Sequence, residues 1–339
     1  MPLAQAIHRF SAAEPSLRPG MVASRVVTSS VPRPPRILIL GTGAMACALG
    51  SRLARYGRAA VTLAGTWTAA LEAIASRGIV VDDPTGVWSA RVRVAPLEGP
   101  LGPADVVLVL VKSPRTPDVV HTAARSLLPG SLVVTLQTGL GNRELLAEAC
   151  GPEQVAVGVA SLTATLLGPG EVRVVPGRVI LGGPAPGVAR FSDLMAASHL
   201  DAEVSPGIER VLWARLAVTC ALNPLSALTG RTHGKLLETP EPCETLLKAA
   251  REVGALAQVK GIDLGGDPAI LAVEAAESTP ASRSGMSHDL ERGARTEVDA
   301  QNGAVVLEGR RFGVPTPVNE YLWERVREKE RSSAGRRDP

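Results

Sequence analysis

The sequence predicts an α/β protein whose first half is a doubly wound parallel sheet and whose second half is mostly α-helical. Three observations predict it. A short apolar run at Arg36-Ile-Leu-Ile-Leu40 leads straight into a glycine-rich turn and a helical pattern. Further strand-length apolar runs then alternate with helical stretches as far as Leu136, the order that βα crossover units produce. From Ile208 onward apolar residues recur at helical rather than strand spacing.

Bulk properties bound the answer before any motif does. A chain of 339 residues exceeds the usual single-domain size, and 45% hydrophobic residues can bury a sizeable core, so two globular domains are expected. Aromatic residues make up only 3%, which favours tightly packed helices and buried parallel strands over an aromatic-rich sandwich. The formal net charge of +3 is small and dispersed, and no basic stripe carries interleaved aromatics, which argues against a nucleic-acid partner. The longest apolar stretches, such as Val106 to Val111, are strand-length, whereas a membrane span needs roughly 20 apolar residues, so no membrane partner is expected. Cys47, Cys150, Cys220 and Cys243 lie far apart without CxxC spacing, which suggests neither a disulfide framework nor a metal site and fits a reducing cytoplasm.

Residues 1–35 are rich in Ser, Arg and Pro and read as a disordered tail; Met21 offers an alternative start, and a transit peptide is the other reading. The first domain is then expected over 36–200, the helical one over 201–330, and a second tail over 331–339.

The turn Gly41-Thr-Gly-Ala-Met-Ala46 between strand and helix has the form of a dinucleotide-binding βα turn, which makes the parallel sheet Rossmann-type. Gly41 allows the tight turn, Gly43 lets backbone approach a pyrophosphate, and Ala46 is small enough for helix to pack on strand. Amides of Thr42, Ala44 and Met45 at the helix N-terminus would face the anion. A second strand follows over Ala59–Leu63, a helix over Thr66–Arg77, a strand over Val106–Val111, a helix over Pro117–Leu128 and a strand over Ser131–Leu136. The second strand ends in Leu63-Ala-Gly-Thr66 with no carboxylate to hold a ribose 2′-hydroxyl, which tolerates NADP. No arginine stands there either, so a 2′-phosphate would rest on Thr66, backbone amides or nearby Arg58, and NAD stays open.

Beyond Gly151 a β segment over Val155–Gly183 is expected to finish the first domain as a hairpin extension. Helices are expected over Ile208–Leu228, Thr245–Lys260 and Met286–Gly313. Arg215, Thr219 and Asn223 stand at i, i+4 and i+8, a polar stripe on an otherwise apolar helix, and Pro224 should kink that helix and free a carbonyl beside the stripe. A helix-packing seam is the other reading of the stripe. In the last expected helix Asp289 and Glu297, eight residues apart, should share a face, Asn302-Gly303 interrupts the pattern, and His288 suits a surface or capping role.

Together these segments resemble the ketopantoate reductase (2-dehydropantoate 2-reductase) family from Arg36 to Lys329. The resemblance rests on Gly41-Thr-Gly-Ala, Val111-Lys112, Leu136-Gln-Thr-Gly-Leu-Gly-Asn142, Leu212-Trp-Ala-Arg-Leu-Ala-Val-Thr-Cys-Ala-Leu-Asn-Pro-Leu225, and Thr296-Glu-Val-Asp299 with Asn302-Gly303, in that order. It implies NADPH-dependent reduction of a 2-keto acid to a 2-hydroxy acid, with the substrate held between the two domains. Lys112, Asn223 and Glu297 match family site residues. Four positions depart: Arg215 stands where the family has its catalytic lysine, Thr219 at its first helix asparagine, Thr138 at the asparagine of its Gln-Asn-Gly turn, and Gly285 at its substrate-binding serine, for which Ser284 or Ser287 could substitute.

The expected catalytic set is therefore Arg215, Asn223, Glu297 and Lys112, with Thr219, Asn223, Ser284 and Gly285 at the substrate. The cofactor set is Gly41, Thr42, Gly43, Ala44, Met45, Ala46, Thr66, Lys112, Thr138 and Glu297, and no metal is expected. Arginine stays protonated, so Arg215 suits an oxyanion or carboxylate but is a poor proton donor, which leaves the proton to water or Lys112. A reductase of altered specificity and a catalytically quiet dinucleotide-binding homologue remain the alternatives, and a homodimer is left open.

Overall fold

The computed structural model describes residues 33–334 apart from residue 185. The first half runs β1 (Arg36–Leu40), α1 (Ala44–Arg55), β2 (Ala60–Gly65), α2 (Thr68–Arg77), β3 (Ile79–Asp83), β4 (Gly86–Ala90), β5 (Arg93–Pro96), β6 (Ala104–Val109), α3 (Thr116–Arg125), β7 (Leu127–Thr135) and α4 (Asn142–Cys150). It continues with β8 (Val155–Ala160), β9 (Thr163–Gly168), β10 (Glu171–Val175), β11 (Arg178–Gly182), α5 (Gly187–Ala197) and β12 (Asp201–Val204). The main sheet has the order β12-β11-β8-β7-β6-β1-β2-β5. Its central pairs are parallel, while β11 lies antiparallel to β8. Apart from Arg36 and Asp105, strands β1 and β6 are apolar and buried because crossover helices cover both faces.

The segment expected as a simple hairpin extension divides between two sheets. β8 and β11 enter the main sheet, while β9 and β10 form a second sheet of order β4-β3-β10-β9. Helix α1 lies between the two sheets, which explains its run of small residues: Ala46, Cys47, Ala48 and Gly50 are all buried. A Cβ on Gly50 would stand 3.0 Å from the Leu63 side chain. β12 pairs with β11, so the sheet runs past residue 200, where the helical region was expected to begin.

The second half comprises α6 (Ile208–Thr229), α7 (His233–Leu237), α8 (Pro240–Val259), α9 (Pro268–Ser278), α10 (Gly285–Glu291), a π-helical turn at Asp299–Gly303, α11 (Ala304–Phe312) and α12 (Pro317–Ala334). α6 is its hub, packed by α8, α9, α10 and α12. It is also long and apolar enough to cross a membrane by length and composition, with a mean hydropathy of 1.4, but 67% of that window is buried inside the protein. Pro224 sits inside α6 without ending it, and the carbonyl its missing N–H leaves free, that of Cys220, accepts a hydrogen bond of 2.9 Å from the Asn302 side chain.

Two expectations need correction. The single helix over Met286–Gly313 is three pieces, because Gly293 at φ +62° stops α10 in a Schellman motif: Gly293 N donates to Leu290 O and Ala294 N to Asp289 O. Asp289 and Glu297 therefore do not share a helix face. Of the expected tails, residues 331–334 instead continue α12, residues 335–339 and 1–32 lie outside the described residues, and Arg33 pairs with Asp105 at 2.7 Å.

Candidate active site

The glycine turn closes the carboxyl end of β1 against α1. Gly41 adopts φ +132°, and a Cβ there would stand 3.0 Å from the Leu110 carbonyl, so only glycine fits without displacing the strand beside it. Gly43 is the opposite case: a Cβ would meet nothing within 4 Å, which leaves open space over the turn. Gly43 is also the N-cap of α1 and brings no side-chain cap, so the first amides of the helix are left for an anion. This cradle fits a dinucleotide pyrophosphate. At the end of β2, Gly65 packs on Thr42, since a Cβ there would meet Thr42 Cγ2 at 2.8 Å, and Thr66 is exposed. Arg58 precedes β2, roughly 20 Å along the strand from that end, and so is badly placed for a phosphate there.

The end of β6 and the loop after β7 are joined to the helical half by a compact polar network. Lys112 forms an ion pair with Asp289, whose side chain is only 4% exposed. The Ser113 N–H and hydroxyl both donate to Glu297 Oε1 at 2.9 Å; Oε2 has no hydrogen-bond partner among the described residues. Asn142 Nδ2 donates to Ser113 Oγ, and Gln137 Nε2 to the Val111 carbonyl and Thr116 Oγ1. Gly139, at φ +97°, lets the loop lie on the π-helical turn, where a Cβ would meet the Ala300 carbonyl at 2.4 Å and where Leu140 N donates to that same oxygen. Asp289 and Glu297 thus converge on consecutive residues, Lys112 and Ser113, from separate elements.

The α6 stripe faces the same cleft. Asn223 Nδ2 donates to Gln301 Oε1 at 3.2 Å, and Gln301 Nε2 donates to Thr138 Oγ1 at 2.9 Å, linking the stripe to the β7 loop. The Thr219 hydroxyl turns back on α6, donating to the Arg215 and Leu216 carbonyls. Ser284 is buried as the N-cap of α10: its oxygen accepts from Ser287 N, and its hydroxyl donates to the Asn223 carbonyl at 3.0 Å. This bond ties the start of α10 to α6 at Asn223. Ser287 is also buried and accepts from Arg283. A Cβ at Gly285 would meet nothing within 4 Å, so that position leaves space.

Arg215, the first residue of the stripe, is half-buried. Its Nε is buried without a hydrogen-bond partner, and among the described residues no carboxylate pairs with its guanidinium. Burial holds its pKa below the ordinary value. The structure brings Lys112, Glu297, Asn223 and Thr138 together, and adds Asp289 as the partner of Lys112, Gln301 as the bridge, and Ser113 and Asn142 behind Glu297. Gln301, next to the recognised Asn302-Gly303, was the nearest signal.

A Rossmann sheet with an open glycine cradle, joined to a polar helix stripe, has the arrangement of the dinucleotide-binding class. The family profile "Ketopantoate reductase PanE/ApbA" matches residues 37–186, and its C-terminal counterpart matches 207–330. A 2-dehydropantoate 2-reductase of Halobacterium salinarum is 32% identical over 298 residues, covering 86% of this chain and 98% of that one. The crystal structure of a PanE/ApbA family ketopantoate reductase from Ralstonia eutropha JMP134 superposes with a TM-score of 0.82 at 30% identity, over 88% of this chain and 99% of that one. A D-mandelate dehydrogenase bound to NADH and anilino(oxo)acetate shares the fold, at a TM-score of 0.82 and 23% identity over 88% of this chain and 99% of that one. The chain belongs to the ketopantoate reductase family.

Proposed function

We propose that the protein reduces a 2-keto acid to its 2-hydroxy acid with NADPH, with ketopantoate and pantoate as the default pair and pantothenate biosynthesis as the setting. The observation that carries this reading is half-buried Arg215, whose Nε is buried without a partner and whose guanidinium pairs with no carboxylate among the described residues. A partly desolvated cation without a counter-ion favours an anion, and a keto acid carboxylate would supply it in bidentate geometry. The glycine cradle would hold the pyrophosphate of the dinucleotide, whose reduced nicotinamide would supply the hydride. Glu297 Oε2 and the Thr138 hydroxyl stand at the cofactor side, Asn223 and Arg215 at the substrate side, and Lys112 and Asp289 tie the two halves together. The absence of a carboxylate at Leu63–Thr66 supports NADP, which the 2′-phosphate could contact through Thr66 and backbone amides.

The space at Gly285 favours a second reading, a reductase for a bulkier 2-keto acid, and the resemblance in fold to D-mandelate dehydrogenase supports it. Initial rates on a panel of 2-keto acids, each with NADPH and with NADH, test both. Highest kcat/KM with ketopantoate and NADPH is the expected result. A maximum at an aryl keto acid would select the second reading, and no turnover on any would overturn both.

A further inference from the structure

Reduction needs a proton as well as a hydride, and neither Arg215 nor Lys112 is well suited to give it. Arg215 holds its proton too tightly. The Lys112 ammonium is engaged by Asp289. The helical half holds another candidate, His233, at the start of α7.

His233 is anchored beside the α6 stripe. Its N–H donates to the Ser282 carbonyl at 2.9 Å, and Gly234 N donates to the Pro280 carbonyl, two hydrogen bonds that bind α7 to the 280–284 segment. That segment ends at Ser284, which bonds to the Asn223 carbonyl and, through its N–H, to Ser226 Oγ. The ring Nδ1 lies 2.9 Å from Thr279 Oγ1. The Thr279 hydroxyl has one hydrogen, and it is spent on the Ala275 carbonyl at 3.0 Å. Thr279 Oγ1 must therefore accept, so the neutral ring carries its proton on Nδ1 and a lone pair on Nε2. That Nε2 is buried and has no partner, as is true of Arg215 Nε.

We infer that His233 is the acid–base residue of the cleft, passing a proton between Nε2 and the oxygen on C2 of a substrate whose carboxylate is held by Arg215. The inference rests on the reductase reading above. In reduction the keto carbon gains a hydride and the carbonyl π pair moves to oxygen. That oxygen forms its O–H bond with the proton from Nε2 of the imidazolium, the N–H bond breaks, and the ring returns to its Nδ1–H form, to be reprotonated from solvent. In the reverse direction the same lone pair takes the hydroxyl proton.

The ring's charge state is coupled to the substrate. Burial and the Arg215 charge together hold His233 below the ordinary histidine pKa. Other charges lie on the elements packed around it: Arg283, paired with Glu291, before α10; Glu274 and Glu277 on α9; Glu241 and Glu244 on α8; Lys235 and Glu238 on α7. A carboxylate bound to Arg215 offsets its charge and raises the ring's pKa, so substrate binding favours the protonated donor.

The test joins NMR of the imidazole nitrogens to steady-state kinetics. His233 is one of five histidines and is assigned by the signals lost in His233→Gln. In the free protein the ring is expected to be neutral with its proton on Nδ1, and pantoate with NADP should raise its titration midpoint. An Nε2–H tautomer, or a ring that ignores pantoate, would overturn the inference whether or not the protein turns over. In kinetics, His233→Gln should keep NADPH binding and KM near wild type while kcat falls on the order of 10²–10⁴-fold, and the rate should lose its decline toward high pH. Thr279→Val, which frees the tautomer while keeping the ring, should shift the pH profile with a smaller loss. Absence of turnover by the wild type would overturn the proposed function. Wild-type turnover with a superimposable His233→Gln profile would overturn the role of His233 alone.

Discussion

The side-chain amide of Asn302 donates to the Cys220 carbonyl at 2.9 Å, taking the acceptor that Pro224 leaves open inside α6. The same nitrogen donates to Asn319 Oδ1, which ties the π-helical turn, α6 and α12 at one buried point. Asn302→Ala should cost about 1–3 kcal/mol, since both acceptors are stranded without water. In a Pro224→Ala background the new N–H can serve Cys220, so the cost should shrink. Thermal or denaturant unfolding of the four proteins measures this, and equal costs in both backgrounds would reject the account.

The ion pair of Lys112 with the buried Asp289 joins the sheet to α10. Lys112 is half-exposed, so Lys112→Ala should cost less than a fully buried pair would, about 1–2 kcal/mol. Asp289 would keep only Arg292, at 3.3 Å and largely exposed. A double-mutant cycle with Asp289→Asn, read by denaturant unfolding, should show that the two losses do not add.

Gly41 and Gly43 should separate folding from binding. Gly41→Ala forces a side chain into φ +132° and against the Leu110 backbone, and should destabilise by about 1–3 kcal/mol. Gly43→Ala meets no protein atom and should leave the melting temperature unchanged, while NADPH affinity falls at least about tenfold as the methyl fills the approach to the backbone. Fluorescence titration and melting curves on both variants check the contrast.

These elements differ in how much of them the sequence displayed. The β1 turn was legible because glycine identity at 41 and 43 is dictated locally, and the α6 stripe because i, i+4 spacing places residues on one face. The second sheet was not legible: β3 pairs with β10 at Val80 and Glu171, residues far apart in the chain whose short strands carry no local sign of each other. The break after α10 was signalled by Arg292-Gly293, but the apolar spacing across it concealed the stop. Arg58 looked adjacent to the ribose site in sequence, and only strand direction puts it at the wrong end. The tautomer of His233 depends on Thr279 and Ala275, a relation that spacing does not express.

Burial also sets the reactivity of the thiols. Desolvation pushes Cys47 up to about 12 and Cys150 up to about 11, and raises fully buried Cys220 further. Because the thiolate is the reactive form, Cys47 and Cys220 should resist thiol reagents at pH values well below these and react only on unfolding. Mass-resolved alkylation with and without denaturant measures it. Rapid native labelling of Cys47 would contradict the buried position of α1.

Whether Arg215 receives the substrate carboxylate is measured by calorimetric titration of pantoate into the NADP-loaded wild type and Arg215→Leu. Arg215→Leu should keep NADP affinity and lose pantoate affinity by at least about 100-fold, the value of a charge-assisted bidentate pair. Pantoate binding unchanged in Arg215→Leu would contradict that role.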